Sequence, residues 1–290
     1  MLKKLQLFDY FNMFILLVIS IVCIYPFLNI LAVSLSDGAA AASGKIYLWP
    51  KGWNIETYKY ILENPRLGVV KGLMNSFLYT IVGGVFGVIL TYCTAYSLSK
   101  KRLIGRKVIM LLFIFTWVFE AGIIPNYIIY KQLGLVNSFW VMILPMAMNT
   151  FLLIITKSFL EGLPEELEEA AFMEGANDFQ IMWKVYFPLC KPIIATISVF
   201  YAVFIWNQFL IPIIYLQDTS LHPITLVLYD MIINSSSDGT SFENVVVNGV
   251  QLTPQNLQAA SIFCAILPIL FIYPIAQKYF SKGIVVGTVK

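Results

Sequence analysis

Apolar residues are concentrated in six long runs, which polar segments separate. Each run approaches the roughly 20 residues that a helix needs to cross the hydrocarbon core of a bilayer. The run interiors contain almost no charge and lack the alternating pattern of membrane-barrel strands. Because lipid offers the backbone no hydrogen-bond partners, the pattern predicts an all-α polytopic membrane protein with six transmembrane helices. The predicted helices cover about residues 11–34, 73–98, 108–125, 139–157, 192–216 and 258–277.

Composition supports a lipid environment. Of the 290 residues, 59% are hydrophobic and 12% are charged, whereas soluble domains contain about 25% charged residues. The net charge of +3 gives no reason to expect a nucleic-acid partner. The cysteines show no metal-ligand spacing, so we expect no metal site. We interpret them as small buried apolar residues: Cys23, Cys93, Cys190 and Cys264.

Loop charges predict the orientation of the helices. With a cytoplasmic N-terminus, most of the 19 lysines and arginines fall in the inner segments, as the positive-inside rule requires. The run KKRLIGRK at 100–107 contributes most. Both termini are therefore predicted to be cytoplasmic. The first apolar run, Phe11 to Ser34, exceeds the roughly 7–15 residues of a signal-peptide core, so we interpret it as an uncleaved span.

The chain is interpreted as a single transmembrane domain, 1–290, with several informative loops. The outer segment 121–138 is expected to form a short interfacial helix with a turn. The external segment 217–257 is long and polar, includes SSSDGTS at 235–241, and is a candidate contact for a partner that delivers substrate. The segment 158–191 is cytoplasmic in this topology.

The second predicted span contains a G-x-x-x-G pattern formed by Gly83 and Gly87. Small residues at this spacing let another helix approach closely. The pattern fits a subunit interface and packing within the chain equally well, and the sequence leaves both interpretations open.

The cytoplasmic segment 158–191 predicts two short helices joined by a turn. Pro164 suits a first helical turn, and the two glutamates after it suit the positive end of a helix. Gly175 provides a stop for the first helix. Asn177 and Gln180 form a capping pair for a second helix, which Pro188 is expected to end.

This helix pair carries small residues that another protein could approach closely. A DNA-binding interpretation is rejected because the first helix is acidic and phosphates would repel it. The alternative is an ordinary amphipathic loop that packs on its own helices.

The segment contains a spaced set of residues: Glu169, Ala170, Ala171, Gly175, Val185, Phe187 and Pro188. This set resembles the signature loop of binding-protein-dependent ABC importer permeases. The family pattern is EAA, three residues, Gly, nine residues, Ile, one residue and Leu-Pro, with Val185 here in place of Ile and Phe187 in place of Leu.

The resemblance extends along essentially the whole chain. The segments 149–159, 205–212 and 277–290 are similar to the second permease of carbohydrate importers, the subfamily that includes the maltose-type inner subunit. The C-terminal tail is most similar to the branch that imports oligosaccharides derived from complex polysaccharides and glycans.

The resemblance implies a type I ABC importer permease fold in a bacterial cell membrane. It implies a heterodimer with a second, paralogous permease, two ATPase subunits, an external substrate-binding protein and an oligosaccharide substrate. The chain lacks the P-loop motif, and the nearest stretch, Gly38 to Lys45, departs from it. We therefore expect no cofactor on this chain, and ATP with Mg²⁺ on the partner ATPases.

The resemblance also implies roles for the loop, which would dock into a cleft on an ATPase. Glu169 would present a charge to that ATPase, and Gly175 would permit the bend. Polar and aromatic groups in or near the fourth and fifth spans are candidates for the translocation path, although hydrogen bonding between helices would explain them as well. These candidates are Asn149, Tyr201, Trp206, Asn207 and Gln208.

Two other functions stay open. One is an ion-coupled secondary transporter, but such carriers usually place ionisable residues within the membrane. Here Glu120 lies near the outer end of the third span, and the span centres are nearly free of charge. The other is an ABC permease for a non-sugar solute, against which the similarity of the C-terminal tail to sugar permeases argues.

Overall fold

The computed structural model describes residues 7–237, 245–247 and 249–283. Residues 238–241 of the serine-rich stretch and 284–290 of the C-terminal tail lie outside the described residues. The α-helices of the described part are α1 (Leu7–Ser34), α2 (Gly38–Ala42), α3 (Glu56–Glu63), α4 (Val69–Ser99), α5 (Arg106–Val118), α6 (Ile123–Gln132), α7 (Thr150–Glu161), α8 (Glu166–Met173), α9 (Asp178–Gln180), α10 (Phe187–Leu189), α11 (Lys191–Trp206), α12 (Leu210–Tyr215), α13 (Ile224–Ser237) and α14 (Pro254–Gly283).

Shorter elements complete the described chain. A π-helix, Ile181–Tyr186, lies between α9 and α10. Strands β1 (Val245–Val247) and β2 (Val250–Leu252) pair antiparallel. Together with α13 they occupy much of the segment 217–257, for which the sequence predicted only a polar loop. The 3-10 turns are Pro65–Leu67, Phe139–Met142, Leu144–Met146 and Thr219–Leu221.

The prediction of six transmembrane helices agrees with the helices of the described residues. Three helices, α1, α4 and α14, are individually long and apolar enough to cross a membrane. Three further pairs qualify as bent spans. They are α5 with α6 at 115°, Phe139–Met146 with α7 at 48°, and Asp178–Leu189 with α11 at 82°.

Three predicted spans contain a break in the backbone. The predicted span 139–157 is α-helical only from Thr150, after two 3-10 turns. The predicted span 108–125 ends at Val118, and Gly122 follows at φ 86° and ψ 176°, a conformation open to glycine. The predicted span 192–216 ends at Trp206 before α12 begins. Pro212 in α12 explains that break, since its ring would clash with the carbonyl of the residue four positions earlier in a continuous helix.

The chain divides into two compact units, of which the first comprises Met1–Val70 and Val227–Pro268. In this unit the side chain of Asn256 donates hydrogen bonds of 2.9 Å to the carbonyls of Val33 and Ser36, which ties α14 to the end of α1. Residues 8–28 of α1 are exposed throughout. This long apolar surface therefore needs lipid or another protein chain to cover it.

The second unit comprises Lys71–Leu226 and Ile269–Lys290. Its core is formed by α4, α7, the π-helix and α11, with fully buried Tyr92, Leu152, Ile181 and Tyr201. Of the cysteines predicted to be buried, Cys190 lies in this core, whereas that prediction was wrong for Cys23, which is exposed on α1.

The G-x-x-x-G pattern on α4 serves packing within the chain. A Cβ atom added at Gly87 would lie 2.7 Å from the ring of Tyr201, and one added at Gly83 would lie 2.9 Å from Ile205. Both partners are on α11, so the two glycines allow α4 and α11 to approach each other. Of the two interpretations that the sequence left open, internal packing is the one that these contacts favour.

Candidate functional site

The first helix of the cytoplasmic segment has the predicted length and stop. Helix α8 begins just after Pro164 and carries three acidic residues in its first turn. It ends at Met173, and Gly175, two residues later, adopts φ 82°. The amide of Gly175 donates to the carbonyl of Phe172 at 2.9 Å, and that of Ala176 donates to Ala171 at 3.0 Å. These two bonds form a Schellman motif, whose left-handed position favours glycine.

The second helix starts as predicted and continues differently. The side chain of Asn177 accepts from the amide of Gln180 at 2.9 Å, and Gln180 accepts from the amide of Asn177 at 3.0 Å, which forms a complete capping box. The helical stretch Asp178–Leu189 ends one residue after Pro188, close to the predicted end. Pro188 lies in the first turn of α10, where a missing amide proton is tolerated.

The predicted coupling residues divide into two groups by exposure. Glu169, Ala170, Gly175 and Pro188 are exposed, whereas Ala171, Val185 and Phe187 are half-buried against the core of the second unit. The ring of Phe187 lies 5.6 Å from that of Tyr92, centre to centre. The structure thus presents the first half of the motif at the surface, and uses Val185 and Phe187 to hold the segment in place.

An ion pair that the sequence did not indicate anchors α8. The ammonium of Lys100 lies 2.6 Å from the carboxylate of Glu168, and their side chains are only 10% and 16% exposed. The guanidinium of Arg102 approaches the other carboxylate oxygen at 3.3 Å. Because the pair is partly buried, removal of one partner leaves the other charge poorly compensated, at a cost below the roughly 3–5 kcal/mol found for fully buried pairs.

Lys100 also lies in an aromatic cage. Its ammonium is 3.6 Å from the ring centre of Tyr186 and 4.4 Å from that of Tyr96. Burial lowers the pKa of Lys100, while the hydrogen bond from Lys100 to Glu168 raises it. Glu168 therefore provides the main support for a positive charge at this position.

Further ion pairs join the basic run 100–107 to the acidic segment. Lys101 pairs with Glu165 and Arg102 with Asp178, and Glu165 and Lys101 are both highly exposed. Exposed pairs of this kind contribute about 0–1 kcal/mol each. Several of these charged side chains line a cavity of about 430 Å³ beside α8.

A second cavity, of about 650 Å³, lies between the break after α5, the turn before α7, and helices α11 and α12. Two of the predicted path residues, Asn149 and Tyr201, line it. The Tyr201 hydroxyl accepts from the amide of Asn149 at 3.1 Å and lies 2.6 Å from the hydroxyl of Thr91. The side chain of Asn149 caps α7 by accepting from the amide of Leu152.

The other three predicted path residues lie at the break after α11 and are not among the residues that line this cavity. Trp206 is buried, and the side chain of Asn207 donates to the carbonyl of Val203 in its own helix at 2.8 Å. The side chain of Gln208 lies 3.0 Å from the sulfur of Met146.

Several residues that line the cavity of about 650 Å³ were not predicted from the sequence as path candidates. These residues lie within an apolar run or just after a break in one, where the sequence pattern indicates only a membrane span. Glu120 and Asn126 provide polar groups, and Trp117, Tyr130 and Tyr215 provide aromatic rings. The ring centres of Tyr130 and Tyr215 are 5.3 Å apart.

Comparison with known proteins assigns the chain to a family. The profile described as "Binding-protein-dependent transport system inner membrane component" matches residues 66–286, a range that includes both the cytoplasmic segment and the larger cavity. The chain belongs to this family.

Relatives match over nearly the full length of this permease. It is 37% identical to "Protein LplC" of Bacillus subtilis, over 99% of this chain and 96% of LplC. It is 38% identical to the "Polygalacturonan/rhamnogalacturonan transport system permease protein YtcP" of the same organism, over 99% of both chains. A crystal structure described as that of "a bacterial ABC transporter involved in the import of the acidic polysaccharide alginate" matches with a TM-score of 0.86 and 31% identity, over 94% of this chain and 96% of the other.

Family membership decides several predictions. The chain is an integral membrane permease subunit of an ABC importer with the type I fold, as predicted. It is not an enzyme, and the ATPase is a separate subunit. A permease of this family works with ATPase and binding-protein partners.

Proposed function

We propose that this permease pairs with a second, paralogous permease and transports an oligosaccharide that an external binding protein delivers. The observation that carries the proposal is nearly full-length similarity to proteins whose names refer to polysaccharide transport or import. Two ATPase subunits would complete the importer and would hold ATP with Mg²⁺, while this chain itself would bind no cofactor.

The coupling surface for the ATPase is proposed to be the exposed face of α8. Glu169 and Ala170 are exposed on this helix, and Gly175 ends it with open space around its Cα. Ala171 would lie at the edge of the contact. Val185 and Phe187 would keep this surface in a fixed position, since their side chains pack on the core of the second unit. Pro188, which is exposed, would belong to the contact surface.

The translocation path is proposed to include the cavity of about 650 Å³. Sugars are bound by hydrogen bonds together with aromatic faces, and the cavity has both, from Asn149, Asn126 and Trp117 among others. The break that follows α11 would add Trp206, Asn207 and Gln208 to the path, at the point where the backbone leaves the helix.

Both termini are proposed to be cytoplasmic. The ion pairs between the run 100–107 and the segment 158–191 support this orientation, since they require the two segments to lie on the same side of the membrane. The positive-inside rule makes that side the cytoplasm. A reporter fused to the C-terminus that reads as external would contradict the orientation.

The experiment is reconstitution of the complete importer in vesicles. Uptake of labelled oligosaccharides is measured with and without ATP and in the absence of an ion gradient, with a neutral and a galacturonate oligosaccharide of equal length as probes. We expect ATP-dependent uptake of at least one. Uptake that requires an ion gradient would indicate a secondary transporter, and ATP-driven uptake of amino acids or peptides alone would indicate a different cargo.

A further inference from the structure

Two neighbouring glutamates of α8 face different surroundings. Glu169 is exposed, whereas the carboxylate of Glu168 is fully engaged within the chain. One oxygen of Glu168 accepts from the ammonium of Lys100 at 2.6 Å and from the hydroxyl of Tyr186 at 3.2 Å. The other lies 3.3 Å from Arg102. Glu168 is therefore not free to contact another subunit.

The position of Lys100 gives this pair its significance. Lys100 directly follows Ser99, the last residue of α4, so the pair joins α8 to the end of a membrane-spanning helix. The rings of Tyr96 and Tyr186 enclose the ammonium and contact each other edge to face at 5.3 Å. One packed cluster thus joins α4 to α8 and the π-helix. It consists of the side chains of Tyr96, Lys100, Glu168 and Tyr186.

Helix α4 continues from this cluster to the larger cavity. One turn above Tyr96, the hydroxyl of Tyr92 donates to the carbonyl of Met182 at 2.6 Å. Next to it, Thr91 lies 2.6 Å from the hydroxyl of Tyr201, which lines the cavity. Further along, Gly87 packs against the ring of Tyr201. A displacement of the cytoplasmic end of α4 would therefore reach a cavity-lining side chain through direct contacts.

We propose that Lys100 and Glu168 form a latch that transmits movement of α8 to α4, and through α4 to the cavity wall at Tyr201. This inference rests on the proposed role of α8 as the docking surface for the ATPase. Glu168 and Lys100 are positioning residues: they contact neither ATP nor substrate, and they keep the coupling helix and the spanning helix in one rigid group.

The neighbouring pair Lys101–Glu165 provides a matched control. It also joins the basic run to the coupling segment, one residue along, but its side chains are 72% and 67% exposed. Charge removal there changes the same residue types without disturbing the buried cluster. Lys101→Met and Glu165→Gln are therefore compared with Lys100→Met and Glu168→Gln.

The test measures substrate transported per ATP hydrolysed by the complete importer in vesicles. Coupling between sites commonly amounts to about 5- to 150-fold. We expect Lys100→Met and Glu168→Gln to lower the transport-to-hydrolysis ratio by about fivefold or more, and the two control variants to leave it unchanged. A residue that served folding alone would lower the yield of assembled importer but not this ratio.

The double variant Lys100→Met/Glu168→Gln guards against simple misfolding, because it leaves no buried charge without a partner. We expect it to assemble as well as the wild type while its transport-to-hydrolysis ratio stays low. A double variant that assembles and couples normally would overturn the latch. Failure of the wild type to show ATP-driven uptake would instead overturn the proposed function.

Discussion

Substitution of Gly83, Gly84 and Gly87 of α4 by alanine tests the packing of α4 on α11. The surroundings of the three positions differ in a graded way. An added Cβ at Gly84 meets nothing within 4 Å, and one at Gly83 meets the terminal methyl of Ile205 at 2.9 Å. At Gly87 the added atom meets three ring atoms of Tyr201, at 2.7 to 2.9 Å.

The expected magnitudes follow from these contacts. Alanine is favoured over glycine within a helix by roughly 0.5–1 kcal/mol, and this gain applies at all three positions. Overpacking a core costs about 1–3 kcal/mol. The methyl of Ile205 can rotate away, but the ring of Tyr201 is fully buried and its hydroxyl is held by Thr91 and Asn149. Gly87→Ala should therefore be less stable than Gly84→Ala by about 1–3 kcal/mol, with Gly83→Ala in between.

The assay is thermal unfolding of the purified importer in detergent, with the three variants compared under identical conditions. Gly84→Ala is the control, since it makes the same change on the same helix. We expect the midpoint to fall in the order Gly84→Ala, Gly83→Ala, Gly87→Ala. Equal midpoints for Gly84→Ala and Gly87→Ala would refute the inference that α4 and α11 pack through these glycines.

Three further predictions concern the cytoplasmic segment and the path. Gly175→Val should uncouple ATP hydrolysis from transport, while Gly175→Asn should retain most coupling. The backbone at this position has φ 82°, which asparagine tolerates better than valine, and there is space for a side chain. Equal loss of transport per ATP in both variants would contradict this. Asn177→Ala should destabilise the second helix of the cytoplasmic segment by about 1 kcal/mol. The amides of residues 178–186 should then exchange hydrogen faster. Unchanged exchange would contradict a stabilising role for the capping box. Asn207→Ala removes only a bond within α11, so assembly should persist while uptake falls; normal uptake would exclude Asn207 from the path.

Hydropathy was sufficient to predict how many spans the chain has, but not where they break. The polar residues at the breaks, Glu120, Asn207 and Gln208, are few and lie between long apolar stretches, so the average over a sequence window extends each span across its break. Pro212 was a usable signal for the second break, since proline disrupts the helix one turn before it. The first break depends on the backbone conformation at Gly122, for which composition provides little indication.

The candidate site shows a different limit. Local signals, such as the glycine stop and the capping pair, were readable because both partners lie within a few residues. The pair of Lys100 with Glu168 joins residues 68 positions apart. The basic run was therefore interpreted only as a signal of membrane orientation. The sequence could not distinguish the half-buried, ion-paired Glu168 from the exposed Glu169 beside it.

Two departures from the family pattern fall on the half-buried part of the motif. Phe187 replaces the usual leucine, and its ring packs on Tyr92 and Trp183 of the same chain, 5.6 and 5.1 Å away between ring centres. Val185, which replaces the usual isoleucine, is half-buried on the same core. A surface that must fit an ATPase constrains its exposed residues, whereas residues that hold the surface need only fill the space behind it. The exposed Glu169 and Ala170 therefore keep the family pattern while Val185 and Phe187 differ from it.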